Sequence, residues 1–151
     1  IWRINNKDKW GEGFGGAWME LNVPWGCYGI HGTLEPWYVG KSHQSKGCIR
    51  MRSKDAQELY GIIPYGTIVN IQYPNRPYRL IQSGDVGSDI VEVERALKKM
   101  NYYDGSIDGV FGQGLKDSVI RFQKDNKLGV TGAVNKQTYD TIMNKYKQEA
   151  E

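Results

Sequence analysis

Tyr28-Gly29-Ile30-His31-Gly32-Thr33, followed by Ser45-Lys46-Gly47-Cys48-Ile49-Arg50, is the part of this chain whose reading decides the rest. A thiol directly after a glycine, with an imidazole within reach in space, is the minimal apparatus of a cysteine nucleophile. The reactive form is the thiolate, so Cys48 must lose its proton near neutral pH. His31 can take that proton, or form an ion pair that favours the thiolate. Gly47 allows a sharp backbone bend where a side chain would obstruct substrate. The amides around Gly47 and Cys48 can then point at a developing oxyanion. Arg50 is a permanent cation. It can hold a substrate carboxylate or brace its loop through an ion pair.

His31-Gly32-Thr33, Pro36, Gly40 and Ser45-Lys46-Gly47-Cys48-Ile49-Arg50-Met51 together resemble the signature of the L,D-transpeptidases, the YkuD family of cell-wall cross-linking enzymes. The resemblance runs from about Ile1 to Tyr73. It implies a catalytic set of Cys48, His31, Gly32, Ser45 and Gly47, with the Gly32 carbonyl holding the second imidazole nitrogen. It implies substrate contacts from Arg50, Lys46, Tyr28, Thr33 and Trp37. Many members carry a histidine where Lys46 stands. A lysine beside a thiolate can also favour ionisation by its charge. The implied reaction is attack of Cys48 on the third residue of a tetrapeptide stem. D-Alanine leaves, and an amine on a neighbouring stem attacks the thioester to give a 3→3 cross-link. Family members are also acylated by carbapenems at this cysteine.

The remaining cysteine and histidine read as ordinary residues. Cys27 lies in an extended stretch, with residues 27, 29 and 31 on one face. A Cys27–Cys48 disulfide would disable the nucleophile, so two free thiols are expected. His43 sits in the polar loop Gly40-Lys41-Ser42-His43-Gln44-Ser45 and reads as solvent-facing. There is no CxxC, no HExxH and no acidic cluster at ligand spacing, so no metal and no cofactor are expected.

At 151 residues the chain suits one or two small domains. No apolar run is long enough to span a bilayer. No signal peptide stands before Ile1, which reads as a processed or cut end. The net charge of +3 carries no basic run, which argues against a nucleic-acid partner. Residues 1–80 hold a net +4 and residues 81–151 a net −1, and all five tryptophans lie in the first part. A basic, aromatic surface suits an anionic polymer. Trp2 and Trp18 read as core, and Trp37 as a wall for substrate.

The chain divides near Pro74-Asn75-Arg76-Pro77. Before it come strands and glycine turns: Ile1 to Asn5, Trp18 to Val23, Cys27 to His31 and Thr67 to Ile71, with Asn6 to Gly16 as loop. One helix follows Ser53 as N-cap, with Asp55 in its first turn. About four strands and one helix bury little core. The family's catalytic domain begins with strands that precede Ile1, so a longer protein is expected. After the prolines, Ile90, Val93, Ala96, Leu97 and Met100 recur at helical spacing behind Ser88 or Asp89. Leu115, Val119 and Phe122 mark a second helix. Asn135 caps a third that carries Tyr139, Ile142, Met143 and Tyr146.

Ile107-Asp108-Gly109-Val110-Phe111-Gly112, Val119-Ile120-Arg121-Phe122-Gln123 and Leu128-Gly129-Val130-Thr131-Gly132 resemble the three-helix peptidoglycan-binding domain. Glu94 and Leu115 depart from that pattern, where glutamine and threonine are common. The expected fold is α+β and multi-domain. A mainly-β L,D-transpeptidase sheet domain covers residues 1–80, and an all-α three-helix bundle covers 84–147. The expected activity is 3→3 cross-linking outside the cytoplasm, at a bacterial wall, with stem peptides, glycan and carbapenems as ligands. A cysteine peptidase acting on wall peptides and a non-catalytic wall-binding protein are the alternatives.

Overall fold

Alternating apolar residues build the first half of the chain into one five-stranded sheet. The computed structural model describes residues 1–74 and 76–149. Its strands are β1 (Trp2–Asp8), β2 (Trp18–Leu21), β3 (Tyr28–Thr33), β4 (Ile49–Arg52) and β5 (Ile68–Val69). Their order across the sheet is β4-β3-β2-β1-β5. β3 and β4 run parallel, and the other neighbours are antiparallel. Sequence reading missed β4, because four residues squeezed between a turn and a helix show no period of their own. β1 also extends into the stretch expected to be loop, because Lys7 and Asp8 pair with Met19 and Trp18.

One face of the sheet is the core. Ile4, Met19, Leu21 and Ile30 are buried there, with Met51, Leu59 and Tyr60 packed against them. Helix α1 (Ser53–Ile62) covers this face on its way from β4 at one edge to β5 at the other. Lys7 Nζ donates to the carbonyls of Tyr60 and Ile63, each at 2.6 Å. A cation there satisfies carbonyls at the end of α1 and opposes the negative pole of the helix. Ser53 is the first helical residue rather than the cap. Arg52 holds the N-cap position without a side-chain bond. The Ser53 hydroxyl is spent elsewhere, donating to the Thr33 carbonyl at 3.0 Å. Asp55 stands in the first turn as expected.

The second half is α2 (Ser88–Lys99), α3 (Gln113–Asp125) and α4 (Lys136–Gln148). Ile90, Val93, Leu97, Phe111, Val119 and Phe122 form the centre of its core. Asn135 caps α4, its Oδ1 accepting from the Thr138 N–H at 2.8 Å. Gly87, not Ser88 or Asp89, precedes α2 as its cap residue. The Asp89 carboxylate instead takes a two-pronged bond from Arg79, at 2.8 and 3.1 Å. Leu115 is buried in the core. Glu94 is buried too, and its Oε2 accepts from the Gly109 N–H at 2.8 Å.

The chain separates into two compact units, Ile1–Pro74 and Asn75–Glu151. Residues 76–80, which sequence reading had placed in the first domain, belong to the second. Ile81 and Val134 exchange backbone bonds of 3.1 and 2.8 Å, and Tyr78 donates its hydroxyl to the Val134 carbonyl. Local sequence could not show this, because the partners lie some fifty residues downstream. Asn75, within the expected linker, lies outside the described residues.

Candidate active site

The parallel register of β3 and β4 sets Ile30 opposite Ile49 and His31 opposite Arg50. Extending that register by one residue, to the position just before β4, sets Gly29 level with Cys48. Side chains alternate along a strand, so Cys48, Arg50 and His31 share the face turned away from α1. On β2, Trp18 pairs with His31 and Glu20 with Gly29, which extends the same face. Cys48 and His31 therefore stand in adjacent rows of neighbouring strands.

His31 is buried under aromatic rings. Phe14 and Trp18 lie 5.0 and 5.7 Å from it, centre to centre, and Trp10 stacks on Trp18 at 4.6 Å. Burial holds its pKa below the ordinary histidine value. The nearby Arg50 charge acts in the same direction, and the bond to Gly32 opposes both. Nδ1 is 2.6 Å from the Gly32 carbonyl oxygen. A carbonyl only accepts, so Nδ1 carries the hydrogen and Nε2 keeps its lone pair. The ring is thus a neutral base at pH 7, in the tautomer that proton abstraction through Nε2 requires.

Gly32 matters for more than its carbonyl. A Cβ there would lie 2.8 Å from Ser53 Cα and 2.9 Å from Gly15 Cα. Three backbones meet at this point, and none is a flexible side-chain end. Gly32→Ala is expected to destabilise the first unit by about 2 kcal/mol, the usual size of overpacking. Urea unfolding followed by tryptophan fluorescence reads this unit alone, because every tryptophan lies within residues 1–37. An unchanged midpoint would show that the contact can relax.

The turn before β4 is tied by Ser45. Its Oγ donates to the Cys48 carbonyl at 2.6 Å and accepts from the Gly47 N–H at 3.3 Å. Gly47 has φ 134°, a conformation that favours glycine. The obstruction a side chain would cause is internal: a Cβ would lie 2.4 Å from Tyr28 Cε1. Tyr28 therefore packs against the turn that carries Cys48.

Beside β4 opens a pocket of about 670 Å³, walled by Glu35, Tyr38, Lys41, His43, Cys48 and Arg50 among others. Arg50 Nη1 is 3.2 Å from Glu35 Oε2, so Arg50 braces the connection between β3 and β4. Both partners are partly exposed, and such a pair contributes about 1 kcal/mol at most. Thr33 is buried and accepts the Glu35 N–H at its Oγ1, 3.1 Å away, shaping the loop rather than facing the pocket. Trp37 is 58% exposed and lies outside the pocket lining, where Tyr38 takes the place expected of it. Lys46 is exposed and also outside the lining. His43 is exposed as expected, yet it lines the pocket. Sequence reading missed Glu35, Tyr38 and His43 as walls. The only available signal was a carboxylate in the loop opposite Arg50 in sign.

Both cysteines are free thiols. Cys27 is exposed, with Sγ 4.0 Å from Glu20 Oε1. Partial desolvation pushes its thiol pKa up, helped by the charges of Glu20 and Cys48. Trp18 is buried, and Trp2 packs at the edge of the core against Trp25, 5.3 Å away, so both serve the interior as expected.

Comparison with known proteins divides the chain where the structure does. Residues 1–71 match the L,D-transpeptidase catalytic domain (YkuD), and residues 86–142 match a peptidoglycan binding domain. The L,D-transpeptidase YkuD of Bacillus subtilis (strain 168) is 48% identical over 68 residues, which cover 45% of this chain and 40% of that protein. The spore cortex-lytic enzyme of Bacillus subtilis (strain 168) is 42% identical over 64 residues, covering 40% and 21%. The crystal structure of the SleB N-terminal domain superposes with a TM-score of 0.44 at 32% identity, covering 45% of this chain and 93% of that one. The chain therefore spans two-fifths or less of the length of these curated relatives.

Proposed function

We propose that this chain, an L,D-transpeptidase catalytic-domain segment over residues 1–71 joined to a peptidoglycan-binding domain over residues 86–142, cross-links peptidoglycan stems through an acyl-enzyme on Cys48. The supporting observation is that Cys48 lines a pocket together with Arg50, while His31, opposite Arg50 on the neighbouring strand, is buried with its Nδ1 fixed by the Gly32 carbonyl. His31 takes the thiol proton through Nε2. The thiolate attacks the carbonyl of the third stem residue, a C–S bond forms, and the bond to D-alanine breaks. The same imidazole returns the proton to the leaving amine. The Gly47 N–H is turned to Ser45, and the oxyanion donor in this reading is the Cys48 N–H. An amine of a second stem then resolves the thioester as a 3→3 cross-link. The peptidoglycan-binding domain holds the substrate polymer close and raises its local concentration. The place of action is the bacterial wall, outside the cytoplasm.

A second reading shares the acyl-enzyme half of the reaction with the first. In it water replaces the amine, and the chain is a cysteine peptidase of wall peptides. Incubation of the full natural protein with a tetrapeptide stem, with and without an amine-bearing second stem, separates the two. The expected result is D-alanine release, a thioester mass on Cys48, and a dimer that forms only with the acceptor. Tripeptide released equally under both conditions would establish hydrolysis. Sedimentation with sacculi but no turnover would leave a binding protein. Imipenem is expected to leave its own mass adduct on Cys48.

A further inference from the structure

The face that carries Cys48 and His31 also carries a carboxylate that the acyl-enzyme chemistry does not use. Glu20 lies on β2 opposite Gly29, and extending the β3–β4 register by one residue brings Gly29 level with Cys48, the residue just before β4. Strands are spaced about 4.8 Å apart, so the Glu20 and Cys48 Cα atoms stand roughly 10 Å apart across the gap. Gly29 puts no side chain between them. The Trp18 indole edge floors that position instead, 2.8 Å from where a Gly29 Cβ would sit. Glu20 is half-buried, and among the described residues no cation pairs with it. Its contact is the Cys27 thiol at 4.0 Å, which is no counter-ion. A half-buried carboxylate without a cation, one strand removed from the thiol, is a ready site for an ammonium ligand.

We propose that Glu20 binds the ammonium of the acceptor stem and so decides that an amine, rather than water, resolves the Cys48 acyl-enzyme. The assignment rests on the acyl-transfer reading above. The two substrates then approach from opposite sides of Cys48. The donor occupies the Arg50 and Glu35 pocket beyond β4, and the acceptor comes in over β3 from Glu20. The held ammonium passes one proton to His31 Nε2. Its nitrogen attacks the thioester carbon, a C–N bond forms and the C–Sγ bond breaks. The thiolate leaves, the amide nitrogen loses its surplus proton to water, and His31 returns its proton to Cys48.

The test uses the full natural protein with Glu20→Gln and Glu20→Asp, a tetrapeptide donor, and a series of acceptor concentrations. Cys48 acylation is followed by mass, and the partition between cross-link and hydrolysed tripeptide by chromatography. E20Q is expected to form the thioester but to need about tenfold more acceptor for half-maximal cross-linking, with hydrolysis rising to match. E20D, which keeps the charge, is expected to fall between the two. An acceptor dependence and product ratio in E20Q equal to those of the parent would overturn the assignment while leaving the acyl-transfer reading intact. A parent protein that never acylates Cys48 would overturn both. If E20Q loses acylation as well, the partition in E20D decides, and parental partition there counts against Glu20.

Discussion

Cys48→Ala is expected to abolish cross-linking and hydrolysis together, with D-alanine release falling by at least about 10⁴-fold, because the acyl-enzyme forms on this thiol and the other cysteine, Cys27, lies outside the pocket lining. His31→Ala is expected to cost about 10³-fold, the usual share of a positioned acid–base group. The pH profile carries further information. Burial holds His31 below the ordinary histidine value, so its ring stays neutral at pH 7 and charges only in more acidic solution. The acid limb of kcat/KM is therefore expected below pH 6.5, and lowering the pH through it removes the base. The same ring sets a stability effect of the same sign: the folded state resists a proton that the unfolded chain accepts, so the first unit loses stability as pH falls through 6.5. A Cys48→Ala protein that still releases D-alanine from tetrapeptides would falsify the mechanism. An acid limb above pH 7 would contradict a buried, neutral His31.

The second large effect belongs to the helical unit. Glu94 is fully buried, and its pKa is pushed up to about 7. Burial is the main cause, the Gly109 N–H bond opposes it, and the neighbouring Asp108 carboxylate adds to it. Tyr103 faces the same group, its own pKa raised by burial and by the charges of Glu94, Asp108 and Asp104. In the unfolded chain Glu94 ionises near its ordinary value of 4.5, whereas in the folded chain it keeps its proton until about 7. Raising the pH from about 4.5 to 7 therefore favours the unfolded state, and the loss is complete above 7. The total is on the order of 3 kcal/mol. Glu94→Gln keeps a carbonyl oxygen for the Gly109 N–H and has no proton to lose. It is expected to stabilise the helical unit at pH 8 by about 2 kcal/mol and to flatten its pH dependence between 5 and 8. Urea unfolding followed at 222 nm measures this, with tryptophan fluorescence reporting the sheet unit separately. A parent protein equally stable at pH 5 and pH 8 would show that Glu94 is solvated or paired.

Glu94 also shows how a departure from a family pattern becomes legible only in three dimensions. In sequence it stands where glutamine is common, a departure with no stated role. In the structure it lies inside the bundle and holds the Asp108-Gly109 turn by a backbone bond. Leu115, the other departure, simply fills core. Both are packing choices, which a periodicity reading cannot separate from surface ones.

The local geometry around the proposed reacting centre depends on short sequence spacings. Cys48 follows a glycine with φ 134°, Ser45 ties the turn three residues back, and His31 bonds the carbonyl of the next residue. Each of these depends on neighbours within a few positions, so the chain itself specified the turn, while the Gly32 partner of His31 and the identity of the two modules came from the family resemblance. Its helices in residues 88–148 were specified in the same way, by apolar spacing and the Asn135 cap. What only the tertiary structure decided is everything that depends on pairing and packing between distant segments. Glu35 reaches Arg50, Tyr38 rather than Trp37 walls the pocket, Glu20 faces the row of Cys48, and residues 76–80 join the helical unit. Register is fixed by pairing between distant segments, and a slip of one residue would turn Arg50 or Glu20 to the other face. No local pattern carries that information, so it was settled when the sheet and the bundle closed.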